Sequence, residues 1–129
     1  MLAGEYNITI EQGTTYLRSI SIEQPDYDTD PTGETYKPFI LTGYTARMQI
    51  RRTIESSTVM LSLTTENGRI TVNPQAPTFT NEIFLTISAG DASSLQTDGV
   101  YDLEIIHGAT GVVSKVIRGK VTVIKEVTR

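Results

Sequence analysis

The chain has 129 residues, a single-domain length, and its 38% hydrophobic content is enough for one buried core. Eleven Lys and Arg stand against fifteen Asp and Glu, for a formal net charge of −4, which disfavours duplex binding because that rests on a surplus of cations. Cysteine is absent, which excludes disulfides, thiolate zinc sites and cysteine nucleophiles, and no apolar run approaches the roughly 18–20 residues of a membrane-crossing helix.

Period-2 alternation recurs from end to end. The opening Met1 to Glu5 shows neither the basic flank nor the apolar run of a signal peptide, so no export tag is expected. Tyr6, Ile8 and Ile10 alternate with Asn7 and Thr9, predicting a strand over 5–10. A second strand is predicted over 15–23, after the turn chemistry of Gln12-Gly13. The clearest strand spans 43–52, where Tyr44, Ala46, Met48 and Ile50 point to one face and polar residues to the other. Val59, Leu61 and Leu63 predict a strand over 58–64, although Met60 interrupts its polar phase. Glu66-Asn67-Gly68 turns the chain into a strand over 69–73, and Ile83, Leu85 and Ile87 mark another over 82–88. Ser88 to Leu95 is the one helical turn predicted. Thr97-Asp98-Gly99 opens a strand over 99–107 carrying Tyr101, Leu103 and Ile105. The turn at His107 to Gly111 leads to strands over 112–118 and 120–127, read as a C-terminal hairpin. Eight or nine short strands with no long helix predict an all-β sandwich or barrel, one domain over 1–129. Its expected core contains Ile8, Met48, Ile50, Leu61, Leu85, Tyr101, Leu103 and Val121.

The segment 24–38 breaks this rhythm. It has three prolines, four acids and no apolar periodicity, and is predicted to be a long loop, functional or mobile. Asp26, Asp28, Asp30 and Glu34 in it carry a charge equal to the net charge of the whole chain. The C-terminal stretch is the reverse, with Lys115, Arg118, Lys120, Lys125 and Arg129 against Glu126. An acidic loop and a basic end are therefore expected on one molecule.

No pattern of catalytic or cofactor-binding residues emerges. Asp26, Asp28 and Asp30 fall at the first, third and fifth positions of an EF-hand loop, but Pro31 replaces its turn glycine and Lys37 its bidentate glutamate. A solvated acidic loop is the favoured reading and a looser calcium cage the alternative. His107 is the single histidine, which excludes a multi-histidine metal site, and its place before a turn suits a solvent-facing residue. Asp102 and Glu104 alternate outward on one strand, as a solvated face does. Gly108 and Gly111 flank a hairpin turn rather than a phosphate cradle. Phe84 and Ile106 fall on the wrong phase of their strands, and if they meet they form an exposed apolar patch suited to an interface.

Asp98 to Ile105 resembles the turn-then-strand pattern of immunoglobulin-like domains, in which a tyrosine caps a corner through its hydroxyl. A plain core aromatic is the other reading of Tyr101. Three further stretches, 41–51, 67–72 and 101–105 followed by Gly119-Lys120-Val121-Thr122-Val123, resemble small virion proteins of tailed bacteriophages. They are similar in particular to the immunoglobulin-like domain at the N-terminus of phage upper-baseplate proteins. The acidic loop is longer than the usual connection before Leu41-Thr42-Gly43, and the chain closes on a strand without a trailing fibre. The resemblance implies an immunoglobulin-like antiparallel sandwich and a non-enzymatic virion protein, made in the host cytoplasm, that serves as a tail, baseplate or fibre-attachment adaptor. A capsid decoration protein, or a carbohydrate- or calcium-binding module using 26–36, are the alternatives. Expected partners are other virion proteins and further copies of the chain in a symmetric assembly, with no nucleic acid, membrane, small-molecule substrate or cofactor. Candidate interface residues are Asp26, Asp28, Asp30, Glu34, Phe84, Ile106, Arg118, Lys120 and Lys125.

Overall fold

The computed structural model describes residues 4–128; Met1 to Ala3 of the opening and Arg129 of the basic end lie outside the described residues. The described residues are predominantly β, with several sheets and no long helix among them. In order, the elements are β1 (Gly4–Glu5), β2 (Ile8–Glu11), β3 (Tyr16–Ser21), β4 (Glu23–Pro25), β5 (Tyr36–Pro38), β6 (Tyr44–Arg51), β7 (Val59–Thr64), β8 (Ile70–Val72), β9 (Glu82–Ile87), α1 (Ala89–Ser93), β10 (Gly99–His107) and β11 (Val113–Ile124).

A large sheet runs β1-β11-β10-β6-β7, with β2 further along the same edge of β11. A small sheet runs β3-β9-β8, and β4 and β5 form a two-stranded ribbon that joins neither. The expectation of a wholly antiparallel sheet is corrected at one edge. β1 and β2 run parallel to β11, with Gly4 opposite Ile117 and Ile8 opposite Val121, because the opening strand lies beside the last strand rather than beside its successor.

The alternation read from the sequence is the alternation of burial. On β6, Ala46, Met48 and Ile50 are buried while Thr45, Arg47 and Gln49 are exposed, since successive strand side chains point to opposite faces. One hydrophobic core takes Met48, Ile50, Leu103 and Val121 from the large sheet and Ile70, Ile83, Leu85 and Ile87 from the small one. All eight residues predicted for the core are buried. Leu41, Ala92 and Leu95 join it at full burial from outside any strand, where strand periodicity could not find them. Ala92 and Leu95 are positioned by α1, whose N-cap Ser88 accepts a hydrogen bond from the Asp91 backbone N–H at 3.1 Å. The Asp91 carboxylate then holds Arg69 through two bonds of 2.7 and 3.0 Å, tying the helix to the start of β8.

Two β-bulges account for the places where alternation fails. Ile50 faces Leu61 but Arg51 faces Val59, so Met60 is an extra residue packed toward the core beside Leu61. Val59 accordingly falls into register with Arg51, off the inward phase predicted for it. Leu103 faces Ile117 while Glu104 faces Lys115, leaving Val116 extra and buried.

The predicted strands over 112–118 and 120–127 are one strand, β11, and the C-terminal hairpin expected from them does not exist; β11 instead turns back on β10 through His107 to Val112. Gly119 lies within β11 because the N-terminal segment passes directly over it. A Cβ there would lie 2.7 Å from the Tyr6 carbonyl carbon and closer still to its oxygen. At this crossing the Tyr6 N–H donates to the Arg118 carbonyl at 2.9 Å and the Lys120 N–H to Asn7 Oδ1 at 2.9 Å. The Tyr101 hydroxyl donates to the Tyr6 carbonyl.

Candidate interaction surfaces

The acidic segment is not an unpaired loop throughout. Its ends pair as β4 and β5, with Gln24 opposite Lys37, so 24–38 is a hairpin closed around 26–35. Asp30 organises the tip. Its carboxylate accepts from the Thr32 N–H and hydroxyl at 3.0 and 2.6 Å, and from the Thr35 N–H and hydroxyl at 3.0 Å each. Hydrogen bonds from Thr32, then Thr35, hold the Asp30 carboxyl down to about 2. Asp28 lies 2.7 Å from the Lys37 ammonium, and that hydrogen bond lowers the carboxyl pKa and raises the lysine's. Asp26 stands 3.9 Å from the same amine. Gly33, at φ +73°, lets the Tyr27 ring pack on the backbone 2.7 Å from where a Cβ would sit. The three aspartates thus face internal donors and Lys37, and among the described residues no three acids or histidines converge as metal ligands.

The exposed face of the large sheet is a ladder of charge. Arg47 pairs with Glu104 at 2.8 Å and Lys115 with Asp102 at 3.0 Å, so the two acids of β10 are each engaged by a cation of a neighbouring strand. Arg51 donates to the Ser56 carbonyl at 2.7 Å and to Gln49 Oε1 at 2.9 Å, neutral acceptors that leave its charge uncompensated. Arg118 and Lys120 are exposed on β11, and among the described residues no carboxylate lies within 4.0 Å of either. Arg51, Arg118 and Lys120 line a groove of about 540 Å³ together with Glu5, Val100 and Ile54, the last 82% exposed in the β6–β7 turn. Tyr101 and Gly119 also line it, so the crossing of the N-terminal segment shapes one wall. Burial raises the Tyr101 phenol well above its ordinary pKa, which keeps the hydroxyl a donor to Tyr6.

A second trough, of about 880 Å³, runs between the ribbon and the β3 and β11 edges, lined by Tyr27, Tyr36, Phe39, Ile20, Val116 and Ile117 among others. Tyr27 and Tyr36 are 65% and 59% exposed. Tyr27 and Tyr36 belong to the 26–36 segment that the sequence offered for a carbohydrate-binding alternative, whereas the walls supplied by Ile20, Val116 and Ile117 come from segments distant along the chain and were not legible in it.

The other predicted site residues divide clearly. Phe84 is half-buried on the outward phase of the small sheet, opposite Ser19 and Thr71. Ile106 is half-buried on the outward phase of the large sheet, opposite Thr45 and Val113. They occupy different sheets and do not meet, which corrects the single apolar patch expected of them. Arg118 and Lys120 are brought together, while Lys125 follows the end of β11, exposed. Asp26, Asp28, Asp30 and Glu34 stay together on the ribbon. His107 is not simply solvent-facing: its ring lies edge-on to Tyr44 at 4.9 Å, and Nδ1 is 3.0 Å from the Thr110 hydroxyl. That contact fixes the β10–β11 turn. Neither a protein-family model nor a curated protein matches this chain.

Proposed function

We propose that this chain is a non-enzymatic structural protein of a tailed-phage virion, a tail, baseplate or fibre-attachment adaptor that works by packing against its neighbours. The observation carrying the packing part of the reading is the pair of oppositely charged surfaces on one small β domain: a paired acidic ribbon and a groove in which, among the described residues, Arg51, Arg118 and Lys120 meet no carboxylate within 4.0 Å. Complementary charge across an interface steers association and sets register, whereas exposed ion pairs contribute little to folding.

The strand order supports an immunoglobulin-like sandwich as the carrier of these surfaces. β3, β9 and β8 take the places of strands B, E and D, and β6, β10 and β11 those of C, F and G, with β7 as an added C′ strand. Tyr101 stands near the start of the F-like strand, where the corner tyrosine of such domains lies. Its hydroxyl reaches the N-terminal segment instead of the nearby corner. Immunogold labelling of purified particles with antibody to the chain tests the proposal. Label at the tail end is expected. Label over the head would select the decoration-protein alternative, and unlabelled particles would refute both. A carbohydrate-binding module is the second reading, favoured by Tyr27 and Tyr36 sharing one trough. Titration with oligosaccharides followed by tyrosine fluorescence checks it, and an unchanged spectrum counts against it.

A further inference from the structure

We infer that the groove on the large sheet is the seat for the acidic ribbon of a second copy of this chain. The inference deepens the assembly reading and rests on it for one point, that the chain acts by packing against neighbours. The acids of β10 already face Arg47 and Lys115, so an incoming anion meets Arg51, Arg118 and Lys120, and among the described residues Glu5 is the one groove acid facing no cation within 4.0 Å. The ribbon segment 23–38 offers the opposite sign, with Glu23, Asp26, Asp28, Asp30 and Glu34 against Lys37 alone. Positive and negative surfaces of this kind favour one another and disfavour wrong partners.

The ribbon is also built to dock without first being ordered. Its strands pair only with each other, and Asp30 and Lys37 fix the tip internally. Little conformational entropy then remains to be lost on binding. Apolar contacts are available on both sides, since Tyr27 on the ribbon is 65% exposed and Ile54 at the groove is 82% exposed. The contact cannot be made within one molecule. No ribbon residue lines the cationic groove, whereas Tyr27 and Tyr36 line the separate trough beside β3. A ribbon-to-groove contact is therefore heterologous, joining unlike surfaces, and closes a ring where the rotation between copies divides a full turn.

The absence of cysteine in the chain makes the test direct. Thr29→Cys on the ribbon and Gln49→Cys in the groove both fall at exposed positions and keep every charge. Copies carrying one or the other, distinguished by a mass tag, are mixed at low salt under mild oxidation. The expected result is a mixed disulfide that forms at least about tenfold faster than between Thr29→Cys and a Leu17→Cys control on the small sheet. Screening at 0.5 M salt, and Arg118→Glu with Lys120→Glu in the groove chain, should each reduce the rate to that of the control. Glu23→Lys with Glu34→Lys in the ribbon chain, which leave the Asp28–Lys37 pair intact, should restore it against the reversed groove. Equal rates for groove and control, or a rate indifferent to salt, would overturn the inference. If no mixed disulfide forms yet the reversed groove still blocks entry into particles, a different virion protein fills the groove. That outcome overturns the inference and leaves the proposed function standing.

Discussion

Replacing Gly119 by Ala tests the crossing on which the edge of the large sheet depends. The new methyl would lie inside contact distance of the Tyr6 carbonyl and 3.0 Å from Asn7 Oδ1. The Asn7 side chain can rotate away, but the Tyr6 carbonyl is backbone held by the Tyr6 N–H bond to Arg118, so that clash cannot be relieved by a side-chain rotation. The N-terminal segment must lift. Lifting breaks the Tyr6 N–H bond to Arg118, the Lys120 N–H bond to Asn7 and the Tyr101 hydroxyl bond to Tyr6. At roughly 0.5–1.5 kcal/mol net for each hydrogen bond, the loss is about 2–4 kcal/mol. For a domain of this size that corresponds to a fall in Tm on the order of 10 °C. Thermal and urea melts measure it, and hydrogen exchange should show lost protection in Ile8–Glu11 before any other strand. Tyr101→Phe alone should cost about 1–2 kcal/mol, and much less in the Gly119→Ala background, because both changes act on the same contact. A Gly119→Ala variant that melts within about 2 °C of the parent, with β2 still protected, would refute this account of the crossing.

Other consequences are more local. Leu103 is fully buried between the sheets, so Leu103→Ala should lower stability by about 2–5 kcal/mol through lost transfer energy and the cavity left behind. An unchanged melt would mean that β10 is out of phase. Asp30 is depressed to about 2 from 3.8, so its contribution to the order of the ribbon is complete above about pH 4 and is lost as pH falls through about 2. Carbon-13 titration of its carboxyl should give a midpoint near 2, and a midpoint near 3.8 would mean the tip is not closed by Thr32 and Thr35. Replacing residues 26–35 by Asn-Gly should leave a cooperative melt close to that of the parent, because the ribbon joins neither sheet. Loss of soluble protein on that replacement would show the ribbon to be structural.

The sequence by itself determined the β class, the inward phase of most strands and the core built on it. Those properties follow from a side-chain period of two, which is local and therefore visible in Tyr44 to Arg51 or Tyr101 to Ile105 without any knowledge of neighbours. It also located the acidic and basic regions, since charge is a property of composition. What only the tertiary structure decided is everything that depends on contacts between distant segments. Met60 and Val116 are extra residues relative to a partner strand, so no single-strand pattern can distinguish a bulge from a broken period. Gly119 is small because of Tyr6, more than a hundred residues earlier in the chain, and without that neighbour it reads as a break between two strands. Phe84 and Ile106 shared an outward phase, but which sheet each belonged to was set by strand order. The cationic groove has the same origin. Arg51, Arg118 and Lys120 become one surface only after β10 has brought β6 and β11 to its two sides and its own acids have been engaged by Arg47 and Lys115.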